Sequence, residues 1–178
     1  MNHKPIWLIS LAVALLQMAH ARVTEVCRLA SPDGLNTIFM SLTDQGCPMY
    51  RVERRGHVLI QNSSIGLRSE AEDFSQAMER HEVGPVEARR ETYQLVVGNR
   101  LSVDSLLVTR HVTFKNAHES LLRIDLVAGD EGIAFRCRLE GRDNTPATVM
   151  EEVTAFQVPE SARAWLQPYH AAGRYTPA

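Results

Sequence analysis

The chain has 178 residues, of which 44% are hydrophobic, 22% charged and only 6% aromatic. That suffices for one domain with a sizeable core and does not fit a disordered chain or a repeat array. A net charge of −2 gives a nucleic-acid partner no electrostatic support.

The first residues read as a processing signal. Lys4 supplies a positive flank, and residues 6–16 are apolar apart from Ser10. Ala19-His20-Ala21 then matches the small-x-small cleavage pattern. The expectation is a signal peptide over residues 1–21, a mature start at Arg22, and a domain over residues 22–178. The apolar run is short for a membrane span, and an uncleaved anchor is the alternative. Cleavage removes Lys4, so the balance becomes 18 − 21 = −3. An exported chain, periplasmic or secreted and without a membrane span, is the result.

Export permits disulfides. Cys27, Cys47 and Cys137 are an odd set, so at least one thiol stays unpaired within the chain. Cys137 reads as a small core residue. Cys27 and Cys47 pair only if their strands are neighbours; otherwise all three are free. No Cys-x-x-Cys motif points to a zinc or redox site.

Strand signals recur every ten residues or so. Val23, Glu25 and Cys27 open an edge-like strand, and Ser31-Pro32-Asp33-Gly34 is a turn. Residues 36–42 alternate with Ile38, Met40 and Leu42 in phase, and 48–53 continue with Tyr50 and Val52. Arg54-Arg55-Gly56 turns into 57–61. Residues 70–82 are polar and read as a short helix or a surface loop. Residues 92–97 and 101–113 read as strands, and 120–128 pair back after a turn at 115–119. No long amphipathic helix interrupts them, so parallel βαβ units are excluded. The fold class is all-β, a large antiparallel sandwich.

The most distinctive stretch is 130–140. Asp130-Glu131-Gly132 is expected to be a tight turn with a left-handed glycine. Ile133, Phe135, Cys137 and Leu139 then alternate with Ala134, Arg136, Arg138 and Glu140. That period predicts a half-buried strand with the first set inward. Glu151-Glu152-Val153-Thr154-Ala155-Phe156 and Ala164-Trp165 follow.

These pieces, in their order and spacing, make the chain resemble the N-terminal domain of glycoside hydrolase family 97 from Leu29 to about Tyr175. The marks are Ser31-Pro32-Asp33-Gly34, Gly46-Cys47-Pro48-Met49-Tyr50, Ser64-Ile65-Gly66-Leu67 and Glu91-Thr92-Tyr93. The stretches at 130–136, 151–156 and 164–165 complete them. The resemblance implies a galactose-mutarotase-like super-sandwich. It further implies exported bacterial enzymes that cleave α-glucosidic or α-galactosidic bonds with calcium in the active site. There the sandwich packs on a catalytic (β/α)8 barrel that carries most of the catalytic carboxylates. The family pattern has a Tyr-Glu pair whose glutamate helps to hold calcium. Here Thr176 follows Tyr175, and a hydroxyl lacks the charge a hard cation wants. No metal ligand is therefore assigned. This chain is expected to end before the barrel and to be inactive alone. The alternative is a free-standing module that binds a carbohydrate or a protein.

Three residues are candidates for substrate binding or a domain interface: Glu152, Trp165 and Tyr169. Glu151 and Glu152 are adjacent, so on a strand they face opposite ways and cannot flank one glycosidic bond. Glu152 is more simply expected to pair with Arg136 or Arg138 on a neighbouring strand. Trp165 offers a broad apolar face for a sugar ring, though such a residue more often fills a core or interface. His81 with Glu82, and His111 with His118, lack metal-site spacing. No catalytic residue is assigned.

Overall fold

The computed structural model describes residues 22–97, 102–140, 147–163 and 165. Those residues form eleven β-strands, and none of them is helical. β1 (Val23–Ala30), β2 (Asn36–Thr43), β3 (Pro48–Arg54) and β4 (His57–Ser64) make an antiparallel sheet in chain order. Short turns impose that order. Gly34 takes φ 71°, and its N–H donates to the Ser31 carbonyl at 2.9 Å. Arg55 and Gly56 both sit in the left-handed region, at φ 51° and 75°, giving a two-residue turn whose twist matches a hairpin.

β5 (Leu67–Ser69) pairs with β11 (Val149–Glu152) as a small ribbon. The second sheet holds β6 (Glu79–Val83), β7 (Glu87–Gln94), β8 (Ser102–Lys115), β9 (Leu121–Gly129) and β10 (Gly132–Glu140). β10, β9 and β8 form a meander. The far edge of β8 is shared, with β6 on its C-terminal half and β7 on its N-terminal half. Gly84 separates the two. Its N–H donates to the His111 carbonyl at 3.0 Å, and a Cβ there would collide with the His111 ring.

The two sheets face each other as a sandwich. Leu29, Ile38, Met40 and Tyr50 meet Val112, Phe114, Leu122, Ile124, Leu126 and Ala128, all nearly solvent-free. Strict alternation on β2, β8 and β9 places these rows inward. Burying each large side chain contributes about 1.5–3 kcal/mol. Asn36 ties the sheets at one end. Its Nδ2 donates to the carbonyls of Gly129 and Asp130 at 3.0 and 2.9 Å, and its Oδ1 accepts from Arg54 at 2.7 Å. At another margin, residues 153–157 run beside β4. Val153 N–H donates to Gly66 O, Ala155 N–H to Ser64 O, and Gln61 N–H to Gln157 O.

The phase expected for β10 holds. Ile133, Phe135, Cys137 and Leu139 pack on the core, but each is half-buried because β10 is an edge strand. Other expectations change. Residues 79–83 form β6 rather than a helix or loop, because β8 offers them a partner. β7 begins at Glu87, five residues before the expected start, and ends at Gln94. Gly132 is not left-handed: it opens β10 opposite Gly129, and left-handed glycines stand instead at Gly34, Gly46 and Gly56. Cys27, Cys47 and Cys137 are all free thiols. β1 neighbours β2 and not β3, so Cys27 and Cys47 are not brought together.

Candidate functional site

The outward face of the second sheet is polar by construction. β8 and β9 alternate, so the residues between their core positions all point away from the sandwich. Thr109, His111, Arg123 and Asp125 are the result, joined by Arg136 and Arg138 from β10. Together they line a shallow groove of about 260 Å³. Cross-strand register sets the contacts, since Asp125 lies opposite both His111 and Arg136.

Asp125 is the hub. Its Oδ1 accepts from Arg123 Nε at 2.8 Å. Its Oδ2 accepts from Arg136 Nη2 at 3.1 Å and lies 2.6 Å from Arg138 Nε. Three guanidinium groups thus share one carboxylate that is only 17% exposed. Arg123 also lies 3.7 Å from Glu140. On the other wall His111 Nε2 stands 3.8 Å from Glu82, and Arg89 pairs with Glu91. The groove is therefore a mixed-charge surface, with Arg136 and Arg138 from β10, Arg123 and Asp125 from β9, and Glu87 and Arg89 from β7.

The residues expected to matter are dispersed. Glu152 closes β11, opposite Leu67, and is exposed. It does not pair with Arg136 or Arg138, because β11 lies beside β5 and those arginines go to Asp125. Its neighbour Glu151 makes the ion pair instead, at 2.8 Å from Arg68 Nη1. Trp165 is 88% exposed, an outward ring and not a core residue. Tyr169 lies outside the described residues, as do Tyr175 and Thr176. The sequence reading missed Asp125 and its arginines. The signal was present as charges out of phase with the apolar rows of β9 and β10, but their meeting depends on register.

Four described carboxyls, Asp33, Glu72, Asp73 and Asp104, have clearly displaced pKa values. Every described carboxyl whose pKa is clearly displaced is displaced downward. The Ser31 hydroxyl lowers Asp33, His118 lowers Glu72, and Arg90 lowers Asp104. Asp73 is pushed up by burial but pulled further down by Ser75 and Arg68. A general acid needs the opposite shift, a carboxyl that keeps its proton near neutral pH. Nor do the described residues fit calcium, since no three His, Cys, Asp or Glu side chains among them come together as a metal would require. Burial pushes the Tyr50 phenol up to about 12 and the Cys137 thiol up to about 11, with the Glu152 charge a smaller contributor to the latter. Both are inert, packed groups.

Comparison with known proteins places this arrangement. Residues 29–177 match the family described as Glycosyl-hydrolase 97 N-terminal. A probable retaining alpha-galactosidase of Streptomyces bingchenggensis (strain BCW-1) is 30% identical over 131 residues, which is 70% of this chain and 19% of that protein. A Glycoside Hydrolase Family 97 enzyme of Pseudoalteromonas sp. strain K8, solved with acarbose, superposes with a TM-score of 0.66 at 22% identity, over 75% of this chain and 20% of the enzyme. A beta-arabinopyranosidase superposes with a TM-score of 0.71 at 21% identity, over 76% and 22% of the two chains. The chain thus spans about a fifth of the length of these relatives.

Proposed function

Because the chain belongs to the glycosyl-hydrolase 97 N-terminal family, we propose that it serves as the β-sandwich part of an exported glycoside hydrolase acting on α-glucosides or α-galactosides. The observation that carries this reading is the match over residues 29–177, supported by the sandwich fold. On this reading the sandwich is of the galactose-mutarotase-like kind and packs on a catalytic (β/α)8 barrel. The barrel supplies the catalytic carboxylates, and any calcium is held away from the described residues. The exposed Trp165 supports a place for Glu152, Trp165 and Tyr169 at the barrel interface or on a bound sugar.

Retaining and inverting glycosidases both need two carboxyl groups about 5–10 Å apart around one bond. Here Asp33, Glu72, Asp73 and Asp104 are held ionised, which suits none of these four to the role of the acid. The test is an assay of purified residues 22–178 on aryl α-glucosides and α-galactosides, with and without calcium. No turnover is expected. Turnover that is lost in Glu152→Gln would overturn the reading and make this a small enzyme in its own right.

A second reading rests on Trp165 itself, whose outward ring suits a free-standing carbohydrate-binding module. After processing it is the only tryptophan in the chain. Fluorescence titration with panose therefore reports on it directly. Saturable quenching that Trp165→Ala abolishes favours the module.

A further inference from the structure

The outward face of the second sheet sets charges of one sign against each other. Arg123 on β9 lies directly opposite Arg138 on β10, and like charges in that relation destabilise a sheet. The next outward row sets Asp125 opposite Arg136. Asp125 thus serves Arg123, Arg136 and Arg138 together. Among the described residues the other acid paired with them is Glu140, 3.7 Å from Arg123. Three cations therefore meet two carboxylates. Arg110, also at the groove, turns its donors to the carbonyls of Gly84 and Arg28, at 2.9 and 3.3 Å. Those acceptors are neutral, so its charge is not offset by them.

Beside these cations the floor changes character. One outward row further on, Val127 lies between Thr109 on β8 and Ala134 on β10. Val127 and Thr109 line the groove, with Pro85 and Glu87 beyond them. A small apolar floor thus sits between guanidinium groups on one side and a hydroxyl and a carboxylate on the other. At about 260 Å³ the groove is smaller than the roughly 300–1,000 Å³ of sites for drug-sized ligands, so it suits a single ring.

The donors decide which ring. Arg136 and Arg138 keep 64% and 49% of their side chains exposed, so a solute can reach their N–H groups. A guanidinium fork matches a carboxylate through two parallel bonds. We infer that this groove binds a carboxylate-bearing sugar, a uronate. Its carboxylate lies against Arg136 and Arg138, its ring rests on Val127, and its hydroxyls face Thr109 and Glu87. The bound carboxylate supplies the negative charge that Asp125 and Glu140 leave short, and so offsets the Arg123–Arg138 repulsion. That the ring is a sugar rests on the glycoside hydrolase reading. That the anion is a carboxylate rests on the arginines.

The test titrates the exported protein, at the length the cell releases it, with methyl α-glucuronide and methyl α-glucoside. Inorganic phosphate enters as a competitor. Saturation-transfer NMR on the two glycosides gives their affinities. Turnover plays no part in this readout, so a failed glycosidase assay and a failed titration are separate results. The glucuronide is expected to bind about tenfold more tightly than the glucoside, the effect of a hydrogen bond to a charged group. Phosphate lacks the ring and should compete about tenfold less well than the glucuronide itself. Arg136→Gln with Arg138→Gln should remove the preference for the glucuronide while circular dichroism shows the fold kept. Arg28→Gln, which deletes an exposed cation of β1, should leave it unchanged. Equal affinity for the two glycosides, phosphate competing as well as the glucuronide, or a preference that survives the double variant would each overturn the inference. So would a preference that Arg28→Gln also removes, or no binding of the glucuronide at all.

Discussion

The hydroxyl of Tyr50 donates to the carbonyl of Ala155 at 2.7 Å, across 105 positions of sequence. Its ring is buried and lies 5.0 Å from Phe135 and 6.1 Å from Phe156, centroid to centroid. One side chain thus joins β3, β10 and the segment beside β4. Tyr50→Phe removes only the hydroxyl and should cost about 1–2 kcal/mol, the value of a lost bond to a partly buried carbonyl. Tyr50→Ala also opens a cavity and should cost about 3–5 kcal/mol. Urea titration of both variants checks the ratio, and a neutral Tyr50→Phe would show that the carbonyl finds water at no cost.

Phe135→Ala tests the phase of β10. The ring is half-buried but touches both Tyr50 and Phe156, so the loss should be about 3 kcal/mol, at the low end for an aromatic truncation. A loss under about 1 kcal/mol would show that the edge strand contributes little to the core.

Asp125→Ala leaves three arginines around an uncompensated space. Because Arg136 and Arg138 are largely exposed, the cost is discounted to about 1–2 kcal/mol. The penalty should shrink as salt rises, since ions screen the remaining repulsion. Thermal melts at low and high sodium chloride measure this, and a salt-independent penalty would count against it.

Cys137 gives a pH signature. Desolvation raises its pKa from 9.0 to about 11, so the unfolded chain loses this proton first. Stability from this group is therefore unaffected below pH 9 and falls as pH rises from 9 towards 11. Cys137→Ala should flatten the stability profile in that window. Native alkylation by iodoacetamide should also stay slow at pH 8, because the thiolate is the reactive form. Fast labelling of Cys137 in the folded protein would contradict the buried thiol.

Export is checked by sequencing the N-terminus of the secreted product. Arg22 should be the first residue, because the small-x-small pattern ends at Ala21. A retained Met1 would refute processing.

Much of the sandwich is legible in the sequence where alternation is strict. Ile38 and Met40, or Ile133 and Phe135, announce both strand and inward face from period alone. β6 is not legible, because Glu79-Arg80-His81-Glu82-Val83 has no apolar alternation and becomes a strand only by pairing with β8. The candidate site divides in the same way. That Arg136 and Arg138 face outward follows from their phase. That they meet Asp125 depends on the β9–β10 register, and that Glu152 does not meet them depends on β11 choosing β5. Propensity is local, and neighbour choice is not.

The division of the core between two sheets also has a consequence in time. β1 to β4 are consecutive hairpins and can form as soon as Ser64 has been made. The rows that cover them, from Val112 to Ala128, arrive later. At synthesis rates of roughly 5–20 residues per second, the stretch from Ser64 to Ala128 takes about 3–13 s. Throughout that interval Ile38, Met40 and Tyr50 face water on a growing chain. That uncovered half-sandwich is the species a holdase would meet during synthesis, and it is where a slow translation step would do most harm.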